Sequence, residues 1–380
     1  MVATKGEALT VTGECSNGWL RIVRDGKVGY VSGDYTTEKA PDATPTPTPT
    51  VKATATPEPT QAPEATATPV PTQAPEATAT PVPTQVPEAT ATPAPAEIPS
   101  AGTSIDEYSG FDGIAYFCYD LNEDVIRYVK NKDTQMQPAS LTKMLTALVA
   151  IEHMDLSTEI EMPLEAMRWV GYTDADGNAV AAVDKDMSVY GAPAGTVLTL
   201  EDWLNVLMLL SAADAADTIA IGVGGSIDNF VEMMNTKAAQ LGMDNSNFDN
   251  PVGADQSSGF YSTYSTAEDM AKLAAAFMRN SQLRKIVSRT SYTTSTGFAV
   301  ENTPIKNINL LVSDSAYKSN VFTCTGIKTG YTTDAGQCIA ASGKDDNGNE
   351  YLVVLLDCKS RKGCAEQAKK MLEYLFIIMD

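Results

Sequence analysis

PASLTKMLTALVAIEH, residues 138–153, holds a serine, a lysine three positions later and the only histidine of the chain. Its apolar residues Leu141, Met144, Leu145, Leu148 and Val149 recur at the spacing of one helix face. The spacing predicts a helix over 140–153, with Ser140 and Lys143 one turn apart on the same side. A bare serine is a poor nucleophile and needs an adjacent base. His153 lies about 220° around the axis from Ser140 and faces away. With no second histidine, a Ser-His-Asp triad is close to excluded. The candidate base is Lys143, which can act as one where burial and neighbouring positive charge lower its pKa. At the start of the helix, the Ser140 backbone N–H would sit at the positive end of the dipole, where an oxyanion can be held.

The Ser-x-x-Lys spacing decides little by itself. It recurs at Ser315-Ala-Tyr-Lys318 with nothing around it in support. The second signal is Lys328-Thr329-Gly330, inside TGIKTGYTTDAG on a predicted strand. Lys328 offers a positive charge, Thr329 a hydroxyl, and Gly330 lets a ligand approach the backbone. Together they suit a substrate carboxylate.

The net charge of -21 argues against a nucleic-acid partner, which as a polyanion would be repelled. No apolar run approaches the roughly 18 residues a membrane span requires. The first residues, MVATKGEALT, lack the basic and apolar regions of a leader. The six cysteines (Cys15, Cys118, Cys324, Cys338, Cys358, Cys364) show no ligand spacing, so neither a metal site nor a cofactor is expected. Cys324 and Cys338 flank a predicted hairpin and read either as cross-strand neighbours or as buried free thiols.

Three regions follow from composition. Residues 1–40 read as short strands, with Asp25-Gly26 as a hairpin turn between GWLRIV and KVGYVS. Residues 41–100 repeat ATATPxPTQxPE from Ala53, Ala65 and Ala77, with a fourth ATATP at Ala89. Such a tract has little apolar surface to bury, and its prolines remove backbone donors. It reads as an extended spacer that, at ~3.1 Å per residue, could reach on the order of 180 Å. Its threonines are candidates for O-linked sugars in a secreted protein. Residues 101–380 carry the main core. Strands are expected at 113–121 and 124–129, and helices at 199–210, 226–241 and 265–279. Strands near 321–329, 336–343 and 350–357 and a last helix over 365–376 complete it. Thr199, Ser226 and Ser265 are read as helix starts, the first and last in Thr-x-x-Asp and Ser-x-x-Glu patterns. The fold class is α+β, an antiparallel sheet covered by helices with a helical subdomain, preceded by a small N-terminal β-barrel fragment.

PASLTK, then SAADAAD (211–217), then TGIKTGYTTDAG resemble the penicillin-binding protein superfamily, which has a β-lactamase/transpeptidase-like fold. Within it the low-molecular-mass serine D-alanyl-D-alanine carboxypeptidases are the nearest match, and NSNFDNPVGAD (245–255) and YSTAEDMAKLA (264–274) look like further stretches of that family. The resemblance spans nearly all of 105–376. It implies Ser140 as the acylated nucleophile, Lys143 as its base and Ser211 as a proton relay to the leaving amine. Lys328, Thr329, Gly330 and Tyr331 would form the substrate-binding strand, with the N–H groups of Ser140 and Tyr331 as an oxyanion hole. It implies peptidoglycan stem peptides as substrate, β-lactams as acylating inhibitors and an extracytoplasmic, secreted or wall-associated location. Separately, GECSNGWLRIVRDGKVGYVSGDYTT resembles the second half of a bacterial SH3 (SH3b) domain, which implies wall targeting. The family's first strands are missing, so the chain reads as clipped at its start, consistent with the missing leader. It also lacks the C-terminal β domain and anchor of many relatives, which leaves tethering to the SH3b-like piece and linker.

Two departures from the family pattern stand out. The middle motif should read Ser-x-Asn, but here it is Ser211-Ala212-Ala213, and no Ser-x-Asn occurs in the chain. Losing one positioning amide costs on the order of 2–4 kcal/mol of transition-state stabilisation, so a slower enzyme is expected. Asp214 would point about 100° away from position 213 and could not substitute. The segment 168–195 is longer and more acidic than the pattern suggests, and reads either as a cleft border or as a solvated loop. The competing readings are a wall-binding relative with weakened catalysis and a β-lactamase. The second is disfavoured because no EPxLN-like segment follows Ser211.

Overall fold

The computed structural model describes residues 10–14, 19–24, 27–32, 111–173, 179–255, 259, 262–295 and 304–379. The chain divides into two units, Met1–Val82 and Pro83–Asp380. In the first, β1 (Thr10–Glu14), β2 (Trp19–Arg24) and β3 (Lys27–Ser32) form an antiparallel sheet. Arg24 pairs with Lys27, the register that a two-residue Asp-Gly connection demands. The turn residues themselves, any closure of these strands into the expected barrel fragment and the Pro/Thr/Ala tract lie outside the described residues.

The second unit is built on a five-stranded antiparallel sheet. Its strands are β4 (Ala115–Asp120), β5 (Val125–Lys130), β6 (Thr323–Thr332), β7 (Gly336–Lys344) and β8 (Glu350–Cys358), in the order β6-β7-β8-β4-β5. The strand carrying Lys328-Thr329-Gly330 is therefore an edge. The centre of the sheet is buried on both faces, which explains why AYFCYD is apolar almost throughout rather than alternating. Ala115, Phe117 and Tyr119 point into the larger core with Leu352, Val354 and Leu356 of β8. Tyr116 and Cys118 point the other way with Tyr351, Val353 and Leu355. On that second face lies α7 (Arg361–Met379), which contributes Ala368, Met371, Leu372, Leu375 and Phe376.

Six further helices pack on the first face. α1 (Lys143–His153) is buried from Lys143 to Ala150 and runs through the middle of the helical layer. Around it lie α2 (Leu200–Asn205), α3 (Ala213–Gly224), α4 (Ile227–Gln240), α5 (Ala267–Arg279) and α6 (Ser281–Val287). The expected helix over 199–210 changes character part-way. Thr199 accepts from the Asp202 N–H as its cap, but Val206–Leu210 widens into a π-helix that ends at Ser211 in the left-handed region (φ 64°). Such a widened turn re-aims the chain, and it places Ser211 just ahead of α3. Ser226 caps α4 as read. The cap of α5 is Thr266 rather than Ser265, with its side chain accepting from the Asp269 N–H. The Ser265 hydroxyl instead meets that of Ser246, 2.7 Å away, and so ties the loop before α5 to the one after α4.

Cys324 and Cys338 are not cross-strand neighbours. Cys324 lies opposite Gly343 and Cys338 opposite Gly330, and the five described cysteines are free. No helix among the described residues is long and apolar enough to cross a membrane. No group of three or more His, Cys, Asp or Glu among them is placed to hold a metal ion. Phe117 is fully buried where the sheet meets the helices. Phe117→Ala should therefore cost about 3–5 kcal/mol, read as a lower urea midpoint at unchanged slope.

Candidate active site

The chain enters the site through Pro138 and a single 3₁₀ turn, Ala139–Thr142, which passes directly into α1. Ser140 therefore belongs to the tight turn and not to the α-helix proper. The one-turn spacing still brings the two side chains together, with Lys143 Nζ 2.9 Å from Ser140 Oγ. Lys143 is fully buried and also donates to the carbonyl of Val252 at 2.7 Å. Burial holds its amine down to about 7, against opposing pulls from Asp217 and Asp214 on α3. A neutral amine has one lone pair and two N–H groups. With an N–H committed to Val252, the lone pair can face the Ser140 hydroxyl, as activation of the serine requires.

Ala139 carries a positive φ of 48°, an uncommon conformation for a residue with a Cβ. Two glycines make room for this bent entry. A Cβ on Gly253 would lie 1.9 Å from the Ala139 carbonyl oxygen, and one on Gly330 would lie 3.1 Å from the Ser140 nitrogen. Gly330 thus seats the edge strand against the Ser140 N–H, the group expected to hold an oxyanion.

On β6, Lys328 faces the helical layer and is almost completely buried. Its Nζ donates to the Thr329 carbonyl at 2.7 Å. Burial first, then the nearby charges of Lys143 and Arg361, push its pKa well below the ordinary lysine value. An arriving carboxylate would reverse the balance and favour the charged form. Thr329 pairs with Ile339 and, by strand alternation, leaves β6 on the face opposite Lys328, so it meets a ligand only over the strand's outer edge. Tyr331 is 59% exposed. Ser211 is nearly buried, at the turn before α3, and α3 packs against α1.

His153 is exposed at the end of α1, its Nδ1 2.8 Å from the Val149 carbonyl oxygen. Ser315 and Lys318 lie in and just after a separate 3₁₀ turn, Ser315–Tyr317.

The described part of 168–195 is anchored to α3. Asp217 accepts from Arg168 Nε at 2.7 Å and from Trp169 Nε1 at 2.6 Å. Asp214 accepts the backbone N–H groups of Tyr190 and Gly191, and Ser188 accepts from the Ala213 N–H. Burial raises the pKa of both carboxyls, while these donors oppose it. Both ends of the segment are clamped to the start of α3, while residues between them such as Val180 and Val183 are exposed. Ala213, where an asparagine was expected, is fully buried beneath it. Sequence reasoning missed both clamps, because their partners are distant in the chain. It also missed the Val252 carbonyl, a backbone group that carries no residue-type signature.

Comparison with known proteins agrees with this geometry. A family model described as D-alanyl-D-alanine carboxypeptidase matches residues 108–359. The chain belongs to that family. The D-alanyl-D-alanine carboxypeptidase DacF of Bacillus subtilis is 31% identical over 255 residues, covering 66% of this chain and 59% of its own. The chain thus spans about three-fifths of that relative's length. Penicillin binding protein 5 from Haemophilus influenzae superposes with a TM-score of 0.60 at 25% identity, covering 73% of each chain. A variant of the Streptomyces K15 DD-transpeptidase gives the same score and identity over 70% of this chain and 98% of its own. The β-lactamase/transpeptidase-like architecture expected for the main unit matches these neighbours.

Two outcomes follow. With Lys143 as the base of Ser140, acylation would need the neutral lysine, whose fraction grows as pH rises through its pKa. The acylation rate should therefore climb with pH to a plateau, with a midpoint near 7, in stopped-flow or quenched-flow measurements. Ala213→Asn adds volume at a fully buried position, and should lower stability by about 1–3 kcal/mol in thermal melts.

Proposed function

We propose that the chain is a serine D,D-carboxypeptidase that removes the terminal D-Ala of peptidoglycan stem peptides through an acyl-enzyme on Ser140. The observation that carries this reading is the 2.9 Å contact between Lys143 Nζ and Ser140 Oγ beneath an edge strand bearing Lys-Thr-Gly. Ser140 Oγ attacks the penultimate D-Ala carbonyl carbon while Lys143 accepts its proton. The N–H groups of Ser140 and Tyr331 hold the resulting oxyanion, and Lys328 and Thr329 hold the terminal carboxylate. Collapse breaks the C–N bond, and the proton passes through Ser211 to the departing D-Ala amine. Water, deprotonated by the same lysine, then releases the shortened peptide and restores the Ser140 hydroxyl.

Such a substrate places the protein outside the cytoplasm, secreted or wall-associated. In this reading residues 1–40 act as an SH3b-like wall-binding piece, residues 41–100 as the spacer, and residues 101–380 as the catalytic domain. The lost amide at Ala213 favours one alternative, a wall-binding relative with weakened turnover. Intact-mass spectrometry after incubation with benzylpenicillin separates the two. A one-penicillin adduct on the parent, absent in Ser140→Ala, accompanied by D-Ala release from a stem peptide, is the expected result. An adduct without D-Ala release would support the weakened relative, and no adduct on the parent would overturn Ser140 as nucleophile.

A further inference from the structure

The Val252 carbonyl that holds Lys143 belongs to a loop, 249–254, organised around one side chain. Asn250 is fully buried. Its Oδ1 accepts three successive backbone N–H groups, from Val252 at 3.1 Å, Gly253 at 2.7 Å and Ala254 at 3.0 Å. Its Nδ2 donates to Asp249 Oδ1 at 2.7 Å and to the Ala254 carbonyl at 3.2 Å. Three N–H groups converging on one oxygen fold the backbone tightly and turn the intervening carbonyls outward. Two of those carbonyls meet α1. Pro251 accepts from Thr146 Oγ1 at 2.6 Å, and Val252 accepts from Lys143 Nζ at 2.7 Å. Lys143 and Thr146 are one helical turn apart, so successive carbonyls of the loop grip successive turns of the helix. The same loop places Gly253 directly against the Ala139 carbonyl, immediately before Ser140.

We infer that Asn250 is a positioning residue for the reaction: it shapes the loop so that the Val252 carbonyl orients the Lys143 amine toward Ser140, while Gly253 supports the strained peptide that presents the nucleophile. The inference rests on the reading of Lys143 as the base of Ser140. A backbone carbonyl then does the orienting that a third side chain performs in a catalytic triad. An amide is well suited to this place. Its oxygen takes three donors without bringing a charge beside an amine that must lose its proton. The charged groups acting on Lys143 are Asp217 and Asp214 from α3; Lys143 in turn acts on Lys328 of β6, and Asp249 stands beside Asn250 in the loop itself.

The test is the pH dependence of benzylpenicillin acylation on the full chain. It is measured by intact mass on the parent, Asn250→Ala, Asn250→Asp and Thr146→Val, with Ser140→Ala as control. Asn250→Ala leaves three buried donors unpaired and admits water to Lys143. Its plateau rate should fall by about tenfold or more, and its pH midpoint should rise. Asn250→Asp keeps an oxygen for the three N–H groups, and its plateau should stay within about threefold of the parent. Parent-like rate and midpoint in Asn250→Ala would overturn the inference. So would a slow variant with an unmoved midpoint, or an Asp variant as slow as the Ala variant. If Asn250→Ala does not fold, Thr146→Val decides, because it releases the Pro251 carbonyl and leaves Asn250 intact. A slower rate with a raised midpoint supports the inference, and parent-like behaviour overturns it. If the parent itself shows no Ser140-dependent adduct, the nucleophile assignment fails and this inference fails with it. If the parent reacts normally, only the role of Asn250 is at stake.

Discussion

A lysine amine with no exposure to water, 2.9 Å from a serine hydroxyl, is the constraint around which the rest of this unit is arranged. Burying a charged ammonium is expensive, and the group responds by giving up its proton. That response suits Lys143 to the part of a base. It also obliges the surroundings to supply partners for whatever N–H groups remain. The Val252 carbonyl is one such partner, and it comes from a loop more than a hundred residues away in sequence. The buried helix, the loop and the edge strand β6 must therefore be in place together for the pair to exist.

The same logic extends to α3. Asp214 and Asp217 are buried carboxylates one turn apart, and each is satisfied by a different part of 168–195. Buried carboxylates without donors would be costly, so this segment completes α3 as much as α3 anchors the segment. Ala213 sits under that clamp. Where the family pattern has an amide, this chain has a methyl group in a packed, fully buried position. The absent asparagine and the long segment, two separate departures in the sequence, are one local arrangement in the fold.

Much of the architecture was legible from pattern. The α1 periodicity, the Thr199 and Ser226 caps and the three C-terminal strands all follow from local rules of spacing and capping. The readings that shifted are those in which tertiary contacts compete with local preference. Ser265 looked like a cap, but its hydroxyl is taken by Ser246, and Thr266 caps instead. The second helix begins as read, yet its last turn widens to deliver Ser211 at a left-handed φ, which no propensity foretells. Cys324 and Cys338 flank the β6–β7 turn, but the register sets each opposite a glycine.

By itself, the sequence determined which side chains are candidates for the chemistry. One histidine facing away, a Ser-x-x-Lys spacing and a Lys-Thr-Gly strand leave Ser140 and Lys143 as the candidate pair, because the one-turn spacing of two side chains is a local property. Only the tertiary structure decided how that pair is tuned and held. The depth of burial that lowers the Lys143 pKa, the carbonyl that orients its amine and the glycines that admit the bent Ala139 peptide all come from distant parts of the chain. Desolvation and backbone hydrogen bonding depend on what surrounds a group in space, and neither leaves a signature in the order of residues.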